Sequence, residues 1–428
     1  MHRSIFAVFA ILWLALAPCV LAGDSSLSER ERRKLFEEVW KLVRTEYYDQ
    51  AIASSDWVAI GDRYRQRLAT VQSDKEVHIL LAEMLAQLHD THTYYEPPVA
   101  GGPRPTLGLE IGEVDGRFVI AAVADGSEAA QQGVRPGMIL RTMNGRDIRD
   151  VARELDAWIP TWMGISSERV LALFRLSFLL KGPAGQEVAL GLSDPSGQPL
   201  EVRVHRTHTP KPVPLVASRR LAPDMGYIRW ATWDPELDPA LTETIRAQLA
   251  SLRDTRSLVI DLRGNTGGDP QVLVDVLGCL ATKEIPYGEF RGPRRFRKIQ
   301  RHTCPFVYTG SVAVLMDWAT GSTSEIFSNL MQETGRGTLV GAQSSGSVLY
   351  HQFDSVRGGG RVYYSRWGYT SPGGRRLQGS GVLPDVPVQR TIAGLWEGRD
   401  EVLEAAVELL NRQTLTGQAT PSAPASPP

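Results

Sequence analysis

The residues Thr320-Gly-Ser-Thr-Ser-Glu325 have the types and spacing for acyl-transfer chemistry. They follow an apolar, strand-like run (Val312-Ala-Val-Leu-Met316) and open a helix-like one (Ile326-Phe-Ser-Asn-Leu-Met331). A serine at a sharp strand-to-helix junction presents its hydroxyl, and the helix N-terminus offers unpaired N–H groups to a developing oxyanion. The bland reading of a lone S-x-S-E is a helix N-cap. A second segment, Asp261-Leu-Arg-Gly-Asn-Thr-Gly-Gly268, weighs against it. It follows the β-branched run Ser257-Leu-Val-Ile260, and its paired glycines let backbone approach a ligand without a Cβ in the way. Alone, it would read as a loop.

Together the two segments resemble those of the C-terminal processing (tail-specific) serine peptidases. The resemblance implies that Ser322 is the nucleophile and that Ser324 is structural. It also implies oxyanion donors at Thr323 N–H and at Gly267 or Gly268. Loss of one such donor typically costs ~3 kcal/mol of barrier. Better-known members take their base from a lysine in a T-F-G-K-G segment. Here the matching stretch is Gly341-Ala-Gln-Ser-Ser-Gly-Ser-Val348, and the lysine position falls on Ser347. A serine–lysine dyad is therefore excluded, and another base must serve.

A tricorn-like branch of the family takes that base from an L-x-D-x-H-T segment, similar to Leu88-His-Asp-Thr-His-Thr93. The resemblance places the base on His92, within a region that also carries Glu38-Val-Trp-Lys-Leu-Val43 and Asp56-Trp57. An imidazole of ordinary pKa ~6.5 can take and return a proton near neutrality. The branch orients its histidine with a glutamate in E-G-x-G-V-x-P-D. This chain reads Gln378-Gly-Ser-Gly-Val-Leu-Pro-Asp385, so the orienting residue is an amide, able to accept a hydrogen bond but not to stabilise imidazolium by charge. His351 is the alternative base.

The elements that must position these groups follow from hydrophobic periodicity. Leu35, Phe36, Val39, Trp40, Leu42 and Val43 recur at helical spacing, as do Leu80, Leu81, Met84, Leu85 and Leu88. This N-terminal helical region spans 23–100 and ends at Glu96-Pro-Pro-Val-Ala-Gly-Gly-Pro103. Short strands follow over 104–207: Leu107–Ile111, Phe118–Val123, Ile139–Met143, Val188–Leu190 and Leu200–Val204. Gly126–Gly137 with Asn144-Gly145 resembles the core of a PDZ domain. By that resemblance Leu107, Gly108 and Leu109 lie in the loop whose bare N–H groups capture a peptide C-terminus. A helix-like stretch, Val151 to Leu180, interrupts the match and is expected to pack on the peptidase core. Over 208–412, strands and helices alternate, which argues an α/β core. The resemblance implies a ClpP/crotonase-like peptidase fold with an inserted PDZ-like β domain. Asp261, Arg263 and Asp385 are read as turn-fixing or ion-pairing residues, and Tyr94-Tyr95 as packing. Residues 413–428, rich in Thr, Ser, Ala and Pro, are expected to be disordered.

Met1-His-Arg3, the apolar run from Ile5 to Leu16 and Val20-Leu-Ala22 read as a secretory signal peptide cut near Ala22, hence a periplasmic or secreted chain. The run is too short to favour a permanent span. Proline before Cys19 makes a poor lipidation box. The remaining Cys279 and Cys304 are either one disulfide or two free thiols. A net charge of −1 over 428 residues gives no reason to expect nucleic acid or an anionic membrane as partner. No metal or organic cofactor is implied, because no three or four His, Cys, Asp or Glu converge in the sequence. Self-association stays open. The expected activity is serine endopeptidase action on extended polypeptides. The alternative, favoured by Ser347 and Gln378, is a weak or inactive paralogue that binds peptide tails or apolar ligands.

Overall fold

A computed structural model describes residues 27–98, 105–208, 214–281, 283–297 and 299–416. The expected signal peptide, Cys19 and the chain beyond 416 lie outside the described residues. Among the described residues, no helix is long and apolar enough to cross a membrane.

The first region is helical. Helix α1 (Glu29–Glu46) starts at a capping box between Ser28 and Glu31, and buries Leu35, Phe36, Val39, Trp40 and Val43 along one stripe. Helices α2 (Gln50–Ser54), α3 (Asp56–Leu68) and α4 (Asp74–Ala86) complete a small core with it. The chain then turns through His89 (φ 51°) into strand β1 (Tyr94–Glu96).

A six-stranded antiparallel sheet comes next. It is built from β2 (Leu109–Val114), β3 (Arg117–Val123), short helix α5 (Glu128–Gln131), β4 (Ile139–Met143) and the two-residue β5 (Arg146–Asp147). After helices α6 (Ile148–Trp158) and α7 (Glu168–Leu180) it closes with β6 (Glu187–Ser193) and β7 (Pro199–His205), in the order β2-β3-β4-β6-β7 with β5 beside β4. The helix-like stretch Val151–Leu180 is thus two helices. Pro160 and Gly164 fall in the break, and a Cβ at Gly164 would come 2.3 Å from the carbonyl oxygen of Asp90. Ile159, Trp162, Met163, Val170, Phe174 and Phe178 pack with Ala82, Tyr94 and Tyr363, so this insertion leans on the neighbouring units, as expected.

The third unit begins with β8 (Val216–Ala222), β9 (Met225–Trp230), α8 (Leu241–Ser251), β10 (Ser257–Asp261), α9 (Pro270–Leu277) and β11 (Glu289–Arg291). It continues with β12 (Ser311–Met316), α10 (Thr323–Glu333), β13 (Thr338–Gly341), β14 (Tyr350–Ser355) and β15 (Arg361–Thr370). It ends with β16 (Val386–Pro387), α11 (Ile392–Glu397) and α12 (Glu401–Thr416). Six strands form a sheet in the order β16-β13-β12-β10-β9-β8, parallel except for the β8–β9 pair. Leu258 and Ile260 point to a core filled from α8, α9 and α10, while Val259 points to Val402, Ala406 and Leu410 of α12. Burial on both faces explains the unbroken apolar strands. Helix α12 runs through Thr416, so residues 413–416, expected in the tail, are helical.

A separate sheet, β1-β15-β11 with β14 on β15, pairs Tyr94 with Tyr363 and so fixes the helical region against the α/β core. Cys279 and Cys304 form a disulfide with a Cα–Cα distance of 5.1 Å.

Candidate active site

Strand β12 ends beside β10, and the two following turns are tied together. Asp317 Oδ1 accepts from the N–H groups of Gly264 (3.0 Å), Ala319 (3.1 Å) and Thr320 (2.9 Å). Burial pushes its carboxyl above the usual carboxylate range. Gly321 N–H donates to the Asn265 carbonyl at 3.0 Å. The chain then reaches Ser322 at φ 52°, ψ −120°, a conformation that an L-residue rarely holds and that costs on the order of 1–3 kcal/mol. Helix α10 begins one residue later.

Gly267 is pressed against this serine. A Cβ there would sit 2.5 Å from Ser322 Cβ and 3.0 Å from Thr323 N, at φ +108°. Gly268 (φ +146°) lies equally close to the Trp233 backbone, so neither position tolerates a side chain. The Gly267 N–H is engaged by Asn265 Oδ1 at 3.0 Å. The N–H groups of Gly268 and Thr323 have no acceptor among the described residues. Thr323 Oγ1 donates to the Gly268 carbonyl at 2.6 Å, joining the two segments. Ser324 is structural: its Oγ accepts from Trp233 Nε1 at 2.8 Å in the core.

Glu325 organises the opposite wall. Its buried carboxylate accepts from Ser344 Oγ (2.6 Å), Ser345 Oγ (3.1 Å), Gly346 N–H (2.7 Å), Ser347 N–H (2.9 Å) and Ser322 N–H (3.0 Å). Burial raises its pKa against the pull of these donors. The stretch in which Ser347 takes the family's lysine position is thereby held beside Ser322, and the Ser347 carbonyl accepts from Ser322 N–H at 2.9 Å.

His92 arrives from the turn after α4. Buried Asp90 accepts from His92 N–H (2.9 Å) and from Thr93 Oγ1 (2.5 Å), and Thr93 Oγ1 accepts from Ser365 N–H of β15. The His92 ring presents Nδ1 to Ser347 Oγ at 3.2 Å, and its centroid lies 5.3 Å from that of His351 on β14. Burial pushes the His92 pKa down to about 4. His351 is open to solvent on one side, yet enclosure in the cleft and the charge His92 would carry push it the same way. Both imidazoles favour the neutral form.

The structure thus gathers Ser322, Gly267, Gly268 and Thr323 at one turn, and Ser347 links them to His92, which lies beside His351; among the described residues no hydrogen bond joins either imidazole to Ser322 directly. Gln378 is not bonded to the His92 ring: its Oε1 accepts from Val348 N–H at 3.0 Å, and Ser347 supplies the ring's hydrogen-bond partner. Leu107 and Leu109 are core residues of the second sheet, and Gly108 N–H donates to Thr106 Oγ1 at 3.2 Å rather than standing bare. Asp261 and Arg263 form a buried ion pair that extends to Asp400, and Asp385 Oδ2 accepts from Leu339 N–H; all three are structural. Sequence reasoning passed over the roles of Ser347 and Glu325, although the Glu that ends the Ser-Thr-Ser-Glu segment was the available signal. Among the described residues no three His, Cys, Asp or Glu side chains could hold a metal ion.

Residues 224–388 match the model of peptidase family S41, and residues 28–86 match that of the tricorn protease C1 domain. A putative tricorn protease homolog 2 of Streptomyces coelicolor is 25% identical over 417 residues; the match covers 89% of this chain but 32% of that protein. A carboxyl-terminal-processing protease of Synechocystis sp. is 24% identical over 97% of this chain and 94% of its own. CtpB of Bacillus subtilis, a carboxy-terminal processing protease, is 22% identical over 88% and 71%. In fold, the chain resembles the photosystem II D1 C-terminal processing protease (TM-score 0.57, 22% identity, 89% and 97% covered). It also resembles mature CPAF (TM-score 0.69, 16% identity, 91% and 99% covered).

Proposed function

We propose that this chain, which carries a peptidase family S41 domain joined to a tricorn-type C1 domain, is an exported serine endopeptidase of the Ser/His type. Ser322 attacks a peptide carbonyl. His92 removes its proton and returns it to the leaving amine. The N–H groups of Gly268 and Thr323 receive the tetrahedral oxyanion. Gly267 serves by bareness rather than by donation, since its own N–H is engaged by Asn265. The substrate is an extended polypeptide cut near its C-terminus, in keeping with the processing proteases it resembles. Residues 104–207 act as a PDZ-like module for that tail. Export rests on the first 22 residues.

The observation that carries the reading is the strained Ser322, with two acceptor-free N–H groups beside it and the His92 imidazole linked to it through Ser347. A fluorophosphonate probe should label wild-type protein and spare Ser322→Ala. Equal labelling of both, or of neither, removes Ser322 from its role. Loss of peptidase activity in His92→Ala but not His351→Ala assigns the base; the reverse transfers it to His351.

One observation favours a weakly active or binding-only paralogue. Gln378 supplies no charge and is bonded to Val348, so nothing in hydrogen-bond contact with the ring stabilises imidazolium. A base of low pKa is a weak one. Peptide binding without probe labelling would select this reading.

A further inference from the structure

Strand β14 carries the second histidine, and one of its edges is uncovered: among the described residues it pairs with β15 alone. The register shows which groups the open edge presents. Opposite His351 lies Ser365, whose N–H goes to Thr93 Oγ1 and whose carbonyl accepts from Tyr48 N–H, both away from β14. At the other end Val356 N–H donates to the Gly360 carbonyl and closes the hairpin. Bonded and unbonded positions alternate along an antiparallel pair, and both ends give the same phase. The N–H and C=O groups of His351, Phe353 and Ser355 therefore point outward, with no partner among the described residues.

The side chains follow the same alternation. Gln352 accepts from Arg366 and Asp354 accepts from the Tyr364 hydroxyl, so both are engaged on one face of the hairpin. His351 and Phe353 share the other face with Tyr363, at ring-centroid distances of 5.7 and 5.2 Å. His351 in turn meets the His92 ring at 5.3 Å. Side-chain contact thus carries this face from Phe353 to His92, which Ser347 links to Ser322.

Soluble proteins blunt an open edge with lysine, proline or inward charge. From His351 to Ser355 there is neither lysine nor proline, and the one carboxylate, Asp354, is engaged on the opposite face. Phe353 is instead 51% exposed, with the Arg361 guanidinium 5.3 Å above its ring.

We propose that the open edge of β14 is the docking strand for the extended polypeptide substrate. Its backbone pairs with His351, Phe353 and Ser355, and one apolar side chain lies over Phe353 and Tyr363. The inference rests on the peptidase reading of Ser322 for the fate of the bound chain; the pairing itself does not.

The test uses full-length Ser322→Ala, which cannot turn over substrate. The probe is a dye-labelled, unstructured peptide of about twelve residues with one central phenylalanine, N-methylated at one position at a time and read by fluorescence anisotropy. Only alternate N–H groups of an added strand face its neighbour, so methylation at every second residue should weaken binding at least about tenfold, and at the residues between by less than about twofold. Phe353→Ala should weaken the parent peptide about three- to tenfold and erase its advantage over a peptide with central serine. Phe353→Pro also removes an outward N–H without costing a ladder bond, and should weaken binding at least about threefold beyond Phe353→Ala. The methylation scan decides the matter if either variant fails to fold. No binding, no two-residue period, or unchanged affinity in folded Phe353→Ala would overturn the docking strand. So would a wild-type dimer in sedimentation that Phe353→Pro abolishes, since a second copy would then cover the edge. Fluorophosphonate labelling of wild type is scored separately: labelling without the period leaves the peptidase and removes the docking strand. The period without labelling does the opposite.

Discussion

Ser347 bridges Ser322 and His92: its hydroxyl stands 3.2 Å from His92 Nδ1, and its carbonyl accepts the Ser322 N–H at 2.9 Å. The backbone half of this bridge is held by Glu325 and does not need the Ser347 side chain. Ser347→Ala should therefore spare the loop and lose only the ring contact. One hydrogen bond contributes about 1 kcal/mol, which is roughly five- to tenfold in rate. We expect kcat to fall by that factor, with KM within twofold and partial rescue by Ser347→Thr. An unchanged kcat would show that the hydroxyl does not position the ring.

Glu325 gathers five donors in a site closed to solvent. Glu325→Gln keeps the shape but turns an NH₂ group toward N–H groups that can only donate. Leaving such donors unmet costs on the order of 1–3 kcal/mol each. Calorimetry should record a melting temperature several degrees lower, and the same variant should lose fluorophosphonate labelling because Ser322 loses its anchor. A variant with wild-type stability and labelling would refute the assignment.

The contrast between these two residues and Ser322 shows what a one-dimensional reading can reach. Ser322 and His92 stood out because each lies in a compact run whose neighbours fix its backbone. The Ser347–His92 contact joins positions 255 apart in sequence, and no local pattern encodes it. The resemblance of its segment points Gln378 at the His92 ring, but Val348 N–H competes for its oxygen and wins. The alternating strands of the α/β core were legible because burial on both faces demands continuous apolar runs. The break between α6 and α7 has local signals in Pro160 and the Ser167 cap, whereas the close approach of Gly164 to Asp90 is a tertiary fact that the sequence does not display.

Acid should weaken this fold through its buried histidines. His78, hydrogen-bonded to Tyr95 at 2.9 Å, and His92 are both pushed by burial to about 4. Between about 6.5 and about 4 the unfolded chain binds protons that the folded one refuses, so stability is present above that window and is lost as pH falls through it. Urea midpoints should drop from pH 7 to pH 5, and the drop should shrink in His78→Gln, which keeps an acceptor for Tyr95 but does not titrate. For catalysis, the acid limb of kcat/KM should lie below pH 6. A limb at the ordinary histidine value would mean that the His92 ring is solvated when it works.

Residues 166–169 connect the turn that carries His92 to the 344–347 loop. Ser166 exchanges hydrogen bonds with Thr91, next to His92, while Ser167 Oγ donates to the Ser345 carbonyl. Arg169 donates to the carbonyls of Ser344 (2.6 Å), Ser380 (2.9 Å) and Gly379 (3.2 Å). These are charge-assisted bonds, each contributing about 1.5–3 kcal/mol. Arg169→Met retains the aliphatic stem and the helix, yet frees both loops from α7. We expect kcat to fall at least tenfold and amide hydrogen exchange to rise at 343–348 and 378–381, with β2 and β3 unaffected. If exchange in those loops stays at wild-type rates, Glu325 and the bonds between the two loops suffice to hold them, and α7 contributes packing without control over the site.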